Sequence, residues 1–93
     1  MSRTIWKFCA RGLIVRGLIV WEAKVPLGAR FLHVGMQDDS LCAWAEVESE
    51  APELNRRFSI VGTGQAPPPT AEYLGTVQQP PYVWHIYINP ETP

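Results

Sequence analysis

The chain has 93 residues and a mass of 10.5 kDa, the size of one domain. At 46% apolar, 11% aromatic and 18% charged residues with a net charge of -1, it is too apolar and too weakly charged for intrinsic disorder. A pI near 6.1 argues against a grip on a nucleic-acid polymer, and two cysteines exclude a disulfide-dense scaffold.

In chain order the pattern is strand after strand. Thr4–Cys9 is short and aromatic. Residues 11–15 and 16–20 repeat Arg-Gly-Leu-Ile-Val, too short a duplication for a solenoid. Its β-branched content favours strand. Leu18–Val25 continues the apolar run into a turn at Pro26-Leu27-Gly28. Arg30–Met36 leads through the polar link Gln37-Asp38-Asp39-Ser40, of hairpin type, into Leu41–Glu48. There Leu41, Ala43, Ala45 and Val47 point one way and Cys42, Trp44, Glu46 and Glu48 the other. Ser49–Asn55 reads as a polar loop, with one helical turn allowed near 50–57 because Pro52 suits a first turn. Arg57–Gly62, Tyr73–Gln78 and Tyr82–Ile88 complete the series. Thr63–Ala71 is an irregular or polyproline loop, and residues 89–93 are expected to fray.

This pattern predicts a single all-β domain over 1–93, a small antiparallel sandwich or partly open barrel of six or seven strands. A chain this short buries roughly 60–65% of its unfolded surface. Four Trp, three Tyr and three Phe are many rings for so thin a core. The surplus predicts that some aromatic surface is covered by another copy or a ligand, hence a homo-oligomer.

The apolar run at 12–21 is too short to span a bilayer and has Arg16 at its centre. Trp21-Glu22-Ala23-Lys24 is a poor cleavage site. The expectations are therefore no membrane partner, a cytoplasmic location, and reduced thiols at Cys9 and Cys42. Charge is split along the chain. Residues 1–30 hold six cations against Glu22, while 31–93 hold Arg56 and Arg57 against eight carboxylates. Neutralisation across neighbouring strands is the simplest use of that split.

Little in the chain marks chemistry. His33 and His85 lie outside any metal-ligand spacing, and buried cysteines act as small hydrophobes. Asp38 and Asp39 would face opposite sides of a strand and have a sufficient role as turn residues. No catalytic residue, metal or cofactor is assigned. The most suggestive stretch runs from Arg56 and Arg57 to Gly62-Thr63-Gly64. Guanidiniums bind phosphate in a bidentate manner, and successive glycine-rich N–H groups form an anion nest. No Lys-Ser or Lys-Thr follows, so it is not a P-loop. Trp84, next to His85, could stack on a base. Strand-end turns and bulges are the simpler reading of this pair and of a second one, Gly75-Thr76.

The ordered blocks Thr4–Phe8 (TIWKF), Val25–Ala29, Leu32–Val34, Leu41–Ala45, Ile60–Gly64 (with VGTG), Tyr73–Gln78 (YLGTVQ) and Val83–Ile86 (VWHI) are similar to a family of small uncharacterised tailed-phage and prophage proteins, grouped as a domain of unknown function. The resemblance spans residues 3–88 and departs at the Arg-Gly-Leu-Ile-Val pair. It implies a phage protein with a small β fold acting in the host cytosol, and it carries no catalytic residue with it.

Three functions follow in order. The first is a non-enzymatic, homo-oligomeric phage accessory protein. It would sequester a small anionic, cyclic-nucleotide-like signal of host defence through Arg56, Arg57, Gly62, Thr63, Gly64, Trp84 and His85. The second is a protein–protein module that inhibits a host protein or serves phage assembly, its rings acting as hot spots. The third is a small hydrolase of nucleotide signals with His33 or His85 as base.

Overall fold

A computed structural model of the chain describes residues 2–10 and 19–91. The duplicated Arg-Gly-Leu-Ile-Val run falls mostly on 11–18, outside the described residues. The strands are β1 Arg3–Cys9, β2 Ile19–Pro26, β3 Arg30–Gln37, β4 Ser40–Glu48, β5 Glu53–Gly62, β6 Glu72–Gln79 and β7 Tyr82–Ile88. They form two antiparallel sheets, one in the order β1-β4-β3 and one in the order β2-β5-β7-β6. The all-β sandwich expected of the sequence is what the chain forms, and it is not a closed barrel.

Strand alternation places the core between the sheets. Leu41, Ala43, Ala45 and Val47 of β4 are all buried, as their spacing requires, and they face Phe58, Ile60, Trp84, Ile86 and Ile88 of the second sheet. Phe58 joins the layers. It stacks on Trp21 beside it at 4.4 Å between centroids, and meets Phe31 of the first sheet edge-on at 5.5 Å. Phe8 lies 6.5 Å from Phe58 and completes the cluster. The small partners Ala43 and Ala45 leave room for these rings.

Local geometry explains the connections. The β3–β4 hairpin pairs Gln37 with Ser40, with Asp38 and Asp39 between them at φ 50° and 64°. Positive φ at both central residues is the type I′ turn, whose twist matches the flanking strands. At a bulge in β6, Gly75 comes so near β3 that a Cβ there would sit 2.6 Å from Val34 Cγ2. The close approach of the two edge strands therefore depends on a missing side chain.

Three expectations need correction. No helical turn forms near 50–57. Leu54, Arg56, Phe58 and Ile60 alternate inward and the stretch joins β5, which begins at Glu53. The inward arginine disguised the period of two. Cys9 and Cys42 are not thiols: they are direct cross-strand partners of β1 and β4, joined in a disulfide with 4.0 Å between their Cα atoms. Finally, the sandwich buries more rings than its size suggested. Trp21 and Trp84 are core residues, and Trp6 packs against the core. The exposed large rings are instead Tyr73 and Tyr82, at 53% and 57%.

The charge split resolves in part across strands. Arg3 contacts Glu46 at 2.7 Å and Glu48 at 3.4 Å, and Arg57 meets Glu22 at 3.5 Å. These pairs are largely exposed and add little stability.

Candidate functional site

The residues singled out in the sequence lie on two ends and two faces of the second sheet. Arg56 and the Gly62–Gly64 turn are separated by six positions along β5, about 20 Å of extended chain. Arg57 points outward to Glu22, and Arg56 inward. The two guanidiniums therefore do not converge, because neighbours on a strand face opposite sides.

The glycine turn is already occupied. Gln65 Oε1 accepts the Gly62 N–H at 3.0 Å, and the Gln65 N–H bonds back to the Gly62 carbonyl at 3.1 Å. Gly64 takes φ 93°, which glycine adopts without strain. Trp84 is 7% exposed and faces inward. Its indole N–H donates to Gln79 Oε1 at 3.0 Å, and its ring stacks on Tyr82 at 5.2 Å. It has no free face for a base.

His85 does lie beside the turn. Its Nε2 is 2.9 Å from Thr63 Oγ1 and its Nδ1 is 3.0 Å from Thr76 Oγ1, which in turn bonds the Tyr73 hydroxyl. Both ring nitrogens thus face threonine hydroxyls, and neither faces the carboxylate that orients a general base. His33 lies on the other sheet, 5.7 Å from the Trp44 ring. With both sulfurs in a disulfide, the chain has no thiol nucleophile.

Two surfaces emerge. The first covers the outside of the four-stranded sheet. Register places Val20, Ser59, Tyr87 and Tyr73 in one row across all four strands, and Val61, His85 and Thr76 in the next; Val20, Tyr73 and Thr76 are exposed, Tyr87 and His85 half-buried, and Ser59 and Val61 buried. Neither row holds a carboxylate, lysine or arginine. Tyr73 and Tyr87 meet edge-on at 5.5 Å. The Glu22–Arg57 pair flanks the first row.

The second surface is a groove of about 430 Å³ at one open end of the sandwich, lined by Ala29, Arg30, Phe31, Arg56, Glu72, Pro90 and Glu91. Here the inner face of β5 passes beyond the apolar core, so Arg56 takes a core position yet finds polar partners. Its Nη2 and Nε donate to the Asn89 carbonyl at 2.7 and 3.3 Å, and Nη1 to Glu91 Oε2 at 3.4 Å. Burial pushes the guanidinium below its ordinary pKa, while first Glu91 and then Glu72 pull it back up. Arginine so placed stays cationic at neutral pH.

Asn89 and Glu91 fall in the stretch expected to fray, but both are held. Asn89 exchanges bonds with Arg57, its Oδ1 accepting the Arg57 N–H at 2.7 Å and its own N–H reaching the Arg57 carbonyl at 3.0 Å. Glu91 Oε2 also accepts the Gly28 N–H at 2.6 Å. Sequence reasoning found Arg56 but missed Arg30, Phe31, Glu72 and Glu91. The available signal was parity: Arg56 shares the inward phase of Phe58 and Ile60, and a buried arginine requires acceptors nearby.

Among the described residues no helix is long and apolar enough to cross a membrane. No curated protein and no solved structure matches the chain. One family model does, across residues 1–93, and the chain belongs to that family, described as a domain of unknown function (DUF7352).

Proposed function

We propose that the protein is a non-enzymatic binding module that self-associates through the outer face of its four-stranded sheet and offers its open end to a ligand. One observation carries this reading. The rows Val20–Ser59–Tyr87–Tyr73 and Val61–His85–Thr76 hold no carboxylate, lysine or arginine, and Val20, Tyr73 and Thr76 stand exposed among them. Tyrosine provides contact area with little side-chain entropy to lose, and charge is depleted at interface centres. A second copy suits this face because an uncharged surface meets itself without repulsion, in a two-fold arrangement.

The size of the face sets the strength. Four strands about 4.8 Å apart, with side chains, cover roughly 20 by 20 Å, or about 400 Å² at most, since Ser59 and Val61 are already buried. A standard interface takes about 800 Å² from each partner. Association is therefore micromolar or weaker unless the rim contributes.

Sedimentation over a concentration series tests the reading. The native chain shifts from monomer to dimer, whereas Tyr73→Lys, still folded by its cooperative unfolding transition, stays monomeric. A native chain that remains monomeric at the highest concentration refutes self-association.

The ligand end supports the anion-binding reading. It sets Arg56 and Arg30 beside the Phe31 ring, and of the two carboxylates that share the groove, Glu72 and Glu91, the latter already occupies the Arg56 guanidinium as an anion would. The resemblance to tailed-phage proteins would give such a module a setting, capture of a nucleotide signal or of a host protein, and that setting rests on resemblance alone. The disulfide bears on the compartment. A cytosolic location fits Cys9 and Cys42 only as thiols, and a chain that keeps the bond works in oxidising surroundings.

A further inference from the structure

The geometry points to an oxyanion seat at the corner between Gly28 and Arg56, which the protein fills with its own Glu91 and which takes a phosphate or carboxylate group of a small ligand once the tail lets go. This deepens the anion-binding reading of the groove and is independent of self-association through the sheet.

Two donors converge on one carboxylate oxygen. Glu91 Oε2 lies 2.6 Å from the Gly28 nitrogen and 3.4 Å from Arg56 Nη1. A backbone N–H paired with a guanidinium is a common way of holding an oxyanion. Gly28 adopts φ 81° in the β2–β3 turn, and open space surrounds the position a Cβ would take.

The seat outlasts its occupant. The Arg56 side chain is 6% exposed, and the Asn89 carbonyl, which does not move with Glu91, fixes two of its nitrogens. Asn89 is separately bonded to the Arg57 backbone. The tail can therefore pivot beyond Asn89 without disturbing β7. The Glu91 side chain, in contrast, is 32% exposed. An incoming anion replaces one carboxylate with another negative group, so Arg56 is never left buried without a counter-charge. Arg30, Phe31 and Glu72 line the same groove, so a phosphate gains a second cation that faces one remaining carboxylate, and a base gains a ring.

A tethered carboxylate competes as if present at roughly millimolar concentration. Removing its charge therefore tightens anion binding, and this separates the proposal from a purely structural clasp. The test follows the Gly28 amide by NMR while inorganic phosphate, and separately adenosine monophosphate, is titrated into the native chain and into Glu91→Gln. A chain ending at Pro90 serves as a second variant if the glutamine disturbs folding. The expected result is a Gly28 signal that moves in the variant, returns towards its native position with phosphate, and half-saturates at roughly tenfold lower phosphate than in the native chain. Tighter binding of the nucleotide than of phosphate assigns the ligand to the nucleotide class. Equal half-saturation in both proteins overturns the role of Glu91 while leaving an anion groove. No response in either protein overturns the groove as well.

Discussion

Reducing the Cys9–Cys42 bond should destabilise the domain by an amount that its position in the chain determines. The cysteines are 33 residues apart in sequence. Opening a loop of that length returns chain entropy to the unfolded state worth about 3.7 kcal/mol at 25 °C. Domains of this size have about 5–14 kcal/mol in total, so the bond supplies a large share. At 4–8 °C per kcal/mol, the melting temperature should fall by roughly 15–30 °C. Urea unfolding with and without a phosphine reductant measures this directly. The reduced chain should also show a larger m-value, because its unfolded state is freer to expand. Cys9→Ala/Cys42→Ala should behave like the reduced protein, within the cost of two small packing losses. Equal midpoints, with a thiol titration confirming complete reduction, would refute the entropic account. Two thiols titrating in the unreduced, denatured protein would refute the pairing itself.

Other outcomes follow from particular contacts. Gly75→Ala pushes a methyl group into Val34 and should cost about 1–3 kcal/mol. On a Val34→Ala background its added cost should shrink, and strictly additive losses in chemical denaturation would count against that contact. Asp39→Gly relieves a positive φ in the type I′ turn and should raise stability by up to about 1 kcal/mol. A drop in midpoint would mean that the aspartate does more than turn the chain. Arg56→Met keeps the buried stem but removes the charge, and should cost about 1–2 kcal/mol because Glu91 is free to turn to water. Arg56→Ala should cost more, and equal or smaller losses than Arg56→Met by thermal melting would show that the buried stem adds nothing by packing.

The fold was largely written in the chain because its strands advertise themselves in different ways. Leu41–Glu48 alternates cleanly, and the Asp38-Asp39 link fixes its hairpin. The segment before Arg57 hid its strand because an inward position carries a guanidinium, whose acceptors lie over 30 positions away at Asn89 and Glu91. Local pattern has no access to such a partner. The same limit explains the cysteines: Cys9 and Cys42 become neighbours only through the register of β1 on β4. The candidate site was less legible. Arg56, Arg57 and Gly62–Gly64 are close in sequence, but an extended strand separates its ends and splits its neighbours between two faces. Proximity along the chain suggested convergence that β geometry forbids. The row Val20–Ser59–Tyr87–Tyr73 draws on four strands, so no window of sequence could have displayed it.

The sandwich is fastened differently at its two ends. Where Cys9 meets Cys42 the clasp is covalent, and at the opposite end, around Arg56, it is ionic and hydrogen-bonded. A reducing agent cleaves the former and leaves the latter, whereas salt screens the latter and leaves the former. Reduction therefore frees β1 from β4 within one sheet, while loss of the second set frees residues 89–91 from the edge of the other, so each layer of this small protein carries a fastening of its own.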